Sequence, residues 1–216
     1  MTVEIWCERP EDFSSVEKLT RDAFWNQYAP GCIEHYLTHI LRDCSAFIPE
    51  LDLIAEADGV PAGSLIAVKG VIVCDSGKRR EVVTLGPLAV APAFQRQGIG
   101  GMLLAAVKQE AQAHGYDALF LCGDPAYYCR HGFVPAEDFG IRTAENNYAA
   151  ALQVCELRAG ALHDAAGCYS EDSSYQVDEA AAEAFDRQFP PLEKRGGTPG
   201  QERFLELVSM QRCKAD

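Results

Sequence analysis

Leu88-Ala89-Val90-Ala91-Pro92-Ala93-Phe94-Gln95-Arg96-Gln97-Gly98-Ile99-Gly100 is the stretch on which the reading of this chain turns. Leu88-Ala89-Val90 closes a long apolar strand, and Ala91-Pro92 breaks it. Gln95-x-x-Gly98-x-Gly100 then leads into an amphipathic helix, Met102 to His114. Leu103, Leu104 and Val107 share one face of it, and Gly115 stops it. The first N–H groups of a helix have no internal partner, and the helix dipole adds about half a positive charge there. Glycines let an anion approach those amides. Gln95, Arg96 and Gln97 add polar or cationic groups, so the segment describes a pyrophosphate site. The bland alternative is a Gly-rich helix start that holds no ligand.

Two other phosphate motifs fail. A P-loop needs Gly-Lys-Ser/Thr where Gly100-Gly101-Met102 stands. A dinucleotide fingerprint would place its third glycine on Leu103. Upstream, Glu81 to Val90 is too apolar for an edge strand, yet it contains Pro87, which cannot donate to a ladder. Gly86-Pro87 therefore predicts a bulge, leaving free backbone groups that an extended, amide-containing ligand would use.

Leu88 to Gly100 resembles motif A of the GNAT acyltransferase superfamily, with its Q/R-x-x-G-x-G/A signature. Gly123-Asp124-Pro125-Ala126-Tyr127-Tyr128-Cys129-Arg130-His131-Gly132-Phe133 resembles motif B, in which a tyrosine precedes Gly-Phe by four residues. The chain is similar in detail to a group of small bacterial predicted N-acetyltransferases with Leu-Gly-Pro-Leu-Ala-Val and Gly-Asp-Pro-x-Tyr-Tyr. The superfamily resemblance spans roughly residues 1–157, and the tail resembles only the smaller group.

The resemblance implies acetyl-CoA as co-substrate, no metal, and a primary amine on a small molecule or peptide as acceptor. It implies that amides from Arg96 through Gly98, Ile99 and Gly100 to Gly101 hold the pyrophosphate. Gln95 and Gln97 flank them, and Leu88-Ala89-Val90 lies along the pantetheine arm, the backbone of Leu88 and Val90 pairing with it. Tyr128 falls where the family places the acid that protonates the leaving thiolate; a packed aromatic is the other reading. Many members carry a Glu six residues before the Val of Leu-Ala-Val. Here that position is Thr84, a poor base, and Glu81 would point to the opposite face. The base is left unassigned. The same gap keeps a second function class open, an acyl-CoA-binding sensor without efficient catalysis.

The composition fits. The chain has 216 residues, 48% hydrophobic and 24% charged, enough for a real core and too apolar for disorder. Its net charge of −13 disfavours a nucleic-acid backbone as partner. Val82 to Gln95, the longest charge-free stretch, is too short and too polar to span a membrane, and Met1-Thr2-Val3-Glu4-Ile5 lacks the marks of a signal peptide. A cytoplasmic location is expected, and a homodimer is compatible with the sequence. Nine scattered cysteines without a C-x-x-C pair read as reduced thiols. His35 and His39, four apart, lack a third metal ligand at a telling spacing and read as packed or solvated.

Outward from the central stretch, strands are expected at Val3–Cys7, Leu51–Glu56, Gly63–Val68 (continuing through Val73), Leu119–Cys122, from Gly132, and at Ala151–Leu157. Helices are expected from Pro10, over Ile33–Arg42, at Ala126–His131, at Asp178–Phe185 and over Gln201–Cys213. Lys78-Arg79-Arg80 reads as a solvated basic turn. The fold class is α/β: a twisted mixed sheet flanked by helices, splayed at its central strand. Residues 1–157 are expected to form the GNAT acetyltransferase domain, and 158–216 an extension packed on it.

Overall fold

Twelve residues, Arg79–Val90, form the strand around which the sheet is ordered. The computed structural model describes residues 1–213. Its strands are β1 (Val3–Cys7), β2 (Leu53–Ala57), β3 (Val60–Cys74), β4 (Arg79–Val90), β5 (Ala118–Cys122), β6 (Val134–Pro135), β7 (Ile141–Arg142), β8 (Asn147–Ala149), β9 (Leu152–Glu156), β10 (Gly167–Ser170) and β11 (Gln211–Cys213). Its α-helices are α1 (Phe13–Phe24), α2 (Glu34–Leu41), α3 (Ile99–Ala113), α4 (Pro125–Tyr128), α5 (Glu179–Asp186) and α6 (Pro199–Ser209). Among the described residues nine strands make one mixed sheet, in the order β1-β2-β3-β4-β5-β9-β6, with β10 on β3 and β7 on β10. The expected mixed α/β fold is observed.

The chain divides into two compact units. The first holds residues 1–67, 86–107 and 173–204. In it β1 and β2 pair antiparallel, and β2 pairs with the first half of β3 across a bulge at Ala55/Glu56. α1 buries Val16, Leu19, Thr20 and Ala23, a helical stripe; Leu19 and Ala23 pack on Ala89 of β4.

The second unit holds, among the described residues, 68–85, 108–172 and 205–213. Its core gathers Ile72, Val82, Phe120, Ile141, Leu152, Val154 and Tyr169. β4 and β5 are parallel, but their register contains only Val83–Leu119 and Thr84–Phe120. The ladder stops one residue short of Leu85, just before Gly86-Pro87, where the sequence predicts the interruption. Gly86 has φ +122 and its peptide bond to Pro87 is cis.

Several boundaries differ from expectation. α3 starts at Ile99 rather than Met102, because left-handed Arg96 (φ +61) and Gly98 (φ +91) turn the chain early enough to bury Ile99. α6 stops at Ser209, not Cys213. The Ser209 hydroxyl donates to Glu206 O, Met210 N donates to Leu207 O, and Gln211–Cys213 pairs antiparallel with β8. Those three strand residues are all exposed, so no alternation marks them. Arg79 and Arg80 belong to β4, and Arg80 is no solvated turn: it donates to Ala161 O at 2.7 Å and His163 O at 3.1 Å.

The first unit also buries an excess of carboxylates. Arg42 donates to Glu8 at 2.6 Å and Glu17 at 2.8 Å, lies 3.9 Å from Asp52, and covers the Phe13 ring at 4.2 Å. His39 Nδ1 also meets Glu17 at 2.9 Å. One guanidinium does not neutralise three acids. Burial, and then the charge of Asp52, push Glu8 up to about 9; burial raises Asp52 to about 6. A raised native pKa means the folded state holds the proton more tightly than the unfolded chain. The stabilisation is therefore complete below the ordinary value of 4.5 and fades as pH rises through about 9. Denaturant titrations at a series of pH values are expected to show stability falling across that interval, and Glu8→Gln is expected to flatten the fall.

Candidate active site

The cradle is built where β4 gives way to α3. Leu88 and Val90 are half-buried while Ala89 is buried, the alternation of a strand with one covered face. Ala91 N donates to Ala62 O, which fixes the strand end to β3. Pro92–Phe94 makes one 3₁₀ turn. Gln95 Nε2 then donates back to Val90 O at 3.1 Å, and Gln97 Nε2 to Ala93 O at 2.9 Å. The two glutamine side chains thus brace the loop. Arg96, Gly98 and the loop around them are exposed, whereas Ile99 and Gly100 are buried in the first turn of α3. Gly98 needs its φ of +91, and a Cβ there would meet nothing within 4 Å. Its glycine serves the turn while the space above the amides stays open. All ten cofactor-site residues expected from the sequence lie in this one strand–loop–helix of the first unit.

Tyr128 belongs to the second unit. Asp124 caps α4, accepting from Ala126 N at 3.0 Å, and Pro125 starts the helix with its φ already set. A 3₁₀ turn, Cys129–His131, follows and ends on Gly132 at φ +74. The Tyr128 ring lies against Gly123 so closely that a Cβ there would overlap it. Tyr127 and Phe133 meet the ring edge-on at 4.9 and 5.8 Å. Lys108 Nζ donates to His131 O and sits 4.7 Å over the Phe133 ring, steadying the loop from α3. The neighbouring Tyr127 is raised by burial, and His131 is lowered by burial and by Lys108 and Arg130.

The position without a base has a different occupation. Thr84 Oγ1 lies 2.7 Å from Tyr169 Oη, both buried, and Tyr169 stacks on Phe120 at 4.7 Å. Tyr169 comes from β10, a strand of four residues that sequence reasoning missed; only Gly167-Cys168-Tyr169-Ser170, too short to show a period, signals it. A second missed contact lies in the first unit, where Tyr175 Oη donates to Gly86 O at 2.6 Å.

The histidine pair has separate structural partners. His35 is buried, with Nδ1 3.4 Å from Cys32 Sγ and Nε2 3.1 Å from Asp186, and burial lowers it toward the neutral form. Arg21 shares the same carboxylate at 2.6 Å. Among the described residues no group of three or more His, Cys, Asp or Glu converges as a metal site, and all nine cysteines are free thiols. The first unit also holds an open cavity of about 800 Å³ lined by Trp25, Tyr28, Glu34, Glu183, Asp186 and Phe204 among others. Burial raises Glu34, and the acidic rim favours cations.

Fold and site define a class: an α/β protein whose interrupted strand runs into an exposed, glycine-spaced helix start, with a tyrosine on the short helix that follows the next strand. The family model described as "Acetyltransferase (GNAT) family" matches residues 10–133. The chain belongs to the GNAT acetyltransferase family and is an acyltransferase. It is 30% identical to the N-acetyltransferase YhbS of Escherichia coli (strain K12) over 160 residues, 74% of this chain and 90% of YhbS. It is 32% identical to YjhQ of the same organism over 96 residues, 44% of this chain and about half (52%) of YjhQ. The crystal structure of YhbS in complex with CoA superposes with a TM-score of 0.72 at 26% identity, covering 81% of this chain and 92% of YhbS. A GNAT acetyltransferase from Brucella melitensis in complex with acetyl-CoA gives 0.61 at 26% identity, over 81% and 98% of the two chains.

Gly123→Ala is expected to force the Tyr128 ring aside. Overpacking of this kind costs about 1–3 kcal/mol, and each kcal/mol is about 2–4 °C in a chain of this length. A fall in Tm of that order in a thermal scan checks it.

Proposed function

We propose that this protein transfers an acetyl group from acetyl-CoA to a primary amine by direct attack in a ternary complex. The observation that carries the reading is the exposed amide loop at Arg96–Gly98 opening α3 directly after an interrupted strand. It is supported by relatives solved with CoA and acetyl-CoA. Loop and helix amides from Arg96 to Gly101 would bind the pyrophosphate by their unpaired N–H groups and the helix dipole. The backbone of Leu88 and Val90 would pair with the pantetheine amides. Gln95 and Gln97 then act by holding the loop in shape, since their side chains already serve its carbonyls.

In the reaction, a neutral amine nitrogen attacks the thioester carbonyl, the C–N bond forms and the C–S bond breaks. Tyr128 donates its phenolic proton to the departing CoA thiolate, the nitrogen sheds its surplus proton to solvent, and Tyr128 regains one from solvent. The acceptor is a small-molecule or peptide amine. Residues 1–157 act as the acetyltransferase domain and 158–216 as an extension of it, working in the cytoplasm.

Thermal unfolding with and without saturating acetyl-CoA, alongside NAD and ATP, tests the donor. A ligand at about 100 times its Kd stabilises the native state by about 2.7 kcal/mol, a rise of roughly 5–10 °C at this size. A rise with acetyl-CoA alone is expected; no rise, in folded protein free of CoA, sinks the reading. Release of CoA thiol with a panel of amines then separates an enzyme from a sensor, which would bind acetyl-CoA without turnover. Tyr128→Phe is expected to lower kcat about 10²-fold with little change in acetyl-CoA affinity.

A further inference from the structure

Gly86 is the loose joint of β4. Glycine turns easily about both of its torsions, and its φ of +122 here is one that a residue with a Cβ seldom adopts. Beyond it the chain stiffens. The Pro87 ring locks φ, and peptide planes do not turn. A single soft torsion, ψ of Pro87, therefore separates the Gly86 carbonyl from the N–H of Leu88. The two groups are also near in space, since a Cβ on Gly86 would stand 3.8 Å from Leu88 N. A contact that holds the Gly86 carbonyl thus aims the Leu88 amide.

Tyr175 makes that contact. Its hydroxyl donates to Gly86 O at 2.6 Å. The phenol stands on a braced support within the first unit. Tyr175 ends a 3₁₀ turn, Ser173–Tyr175, in which Gln176 N donates to Ser173 O and Val177 N to Tyr175 O. Asp178 then caps α5, accepting from Ala180 N at 2.8 Å. The far end of α5 is tied to α1, where Asp186 accepts from Arg21 at 2.6 and 3.3 Å. α1 in turn packs Leu19 and Ala23 on Ala89. Gly86 and Ala89 are therefore joined twice: directly along β4, and by way of Tyr175, α5 and α1. Leu88 lies inside this closed circuit, which resists a swing that a lone strand end with a glycine joint would allow.

We propose that Tyr175 is a positioning residue for the acyl donor: its hydroxyl bolts the Gly86 joint and so presents the Leu88 backbone to the pantetheine arm. The proposal rests on the acetyl-transfer reading above. In that reading the arm runs from the amide loop at Arg96–Gly101 back along Val90 and Leu88, which puts Gly86 at its thioester end. A backbone amide aimed in advance needs no ordering when the arm arrives, and that saving appears as affinity. Tyr175 acts through Gly86 and Leu88 and takes no part in bond making or proton transfer.

The test is Tyr175→Phe, which removes the hydroxyl and keeps the ring, with binding read by titration calorimetry on the full chain. Its Kd for acetyl-CoA is expected to be about 3- to 10-fold weaker than that of wild type, the range set by the loss of one hydrogen bond. The head fragment 3′-phospho-ADP carries the pyrophosphate and no pantetheine, and it is expected to bind both proteins alike. This split between donor and fragment is the readout that a purely structural bond would not produce. A folded Tyr175→Phe protein that binds acetyl-CoA as wild type does overturns the role. So does a variant that loses acetyl-CoA and the fragment equally, or one that no longer folds, because the bond then serves the fold and not the donor. A wild-type protein that does not bind acetyl-CoA overturns the acetyl-transfer reading itself, and the role of Tyr175 with it.

Discussion

Two rungs of parallel ladder, Val83–Leu119 and Thr84–Phe120, set the terms for the rest of the molecule. Up to Thr84 the strand is shared and its side chains are core: Val82, Val83 and Thr84 are all buried. From Gly86 the backbone carries a conformation that no side chain with a Cβ adopts readily, followed by a proline with no N–H to offer. The ladder therefore ends at a point fixed by covalent chemistry rather than by packing. Beyond it the strand enters the cradle loop, whose shape depends on Arg96 and Gly98 taking left-handed backbone.

The later part of the chain supplies what this strand lacks. Tyr169 occupies the hydroxyl of Thr84, and Tyr175 takes the carbonyl of Gly86. Both are phenols bonding to groups that an open strand would otherwise leave to water. Asp186 reaches Arg21 at 2.6 Å and lies 3.1 Å from His35, joining α5 to α1 and α2. The segments of the tail are shared between the two units, residues 173–204 falling in the first and 158–172 and 205–213 in the second.

Much of the strand–loop–helix from β4 to α3 was legible in the sequence because its physics is local. A Gly-Pro pair, a break and a glycine-spaced helix start each act within a few residues. The boundary error at α3 came from two left-handed residues whose consequence is the burial of Ile99, which spacing alone does not show. The short helical segment that carries Tyr128 was legible for a similar reason: Asp124-Pro125 and Gly132 mark its two ends. What lay hidden was non-local. β10, β7 and β8 have two to four residues each, too few for a period, and their pairings span long separations such as Gly167 with Cys74. Thr84 read as a missing carboxylate; only the three-dimensional placement of β10 shows what stands beside it.

The order in which the chain is made gives the β10 pairing another meaning. Translation delivers β3, β4 and β5 long before residues 167–204, so during synthesis Thr84 and the Gly86 carbonyl have no phenol to meet. Pairings so far apart in sequence form late, after the entropy of a long loop has been lost. A nascent chain stopped at β9 would present a half-covered sheet face around Ile72 and Phe120, residues that Tyr169 later packs against. Until the tail arrives, that face is open to chaperones and to other chains, and the exposed interval lengthens as translation slows.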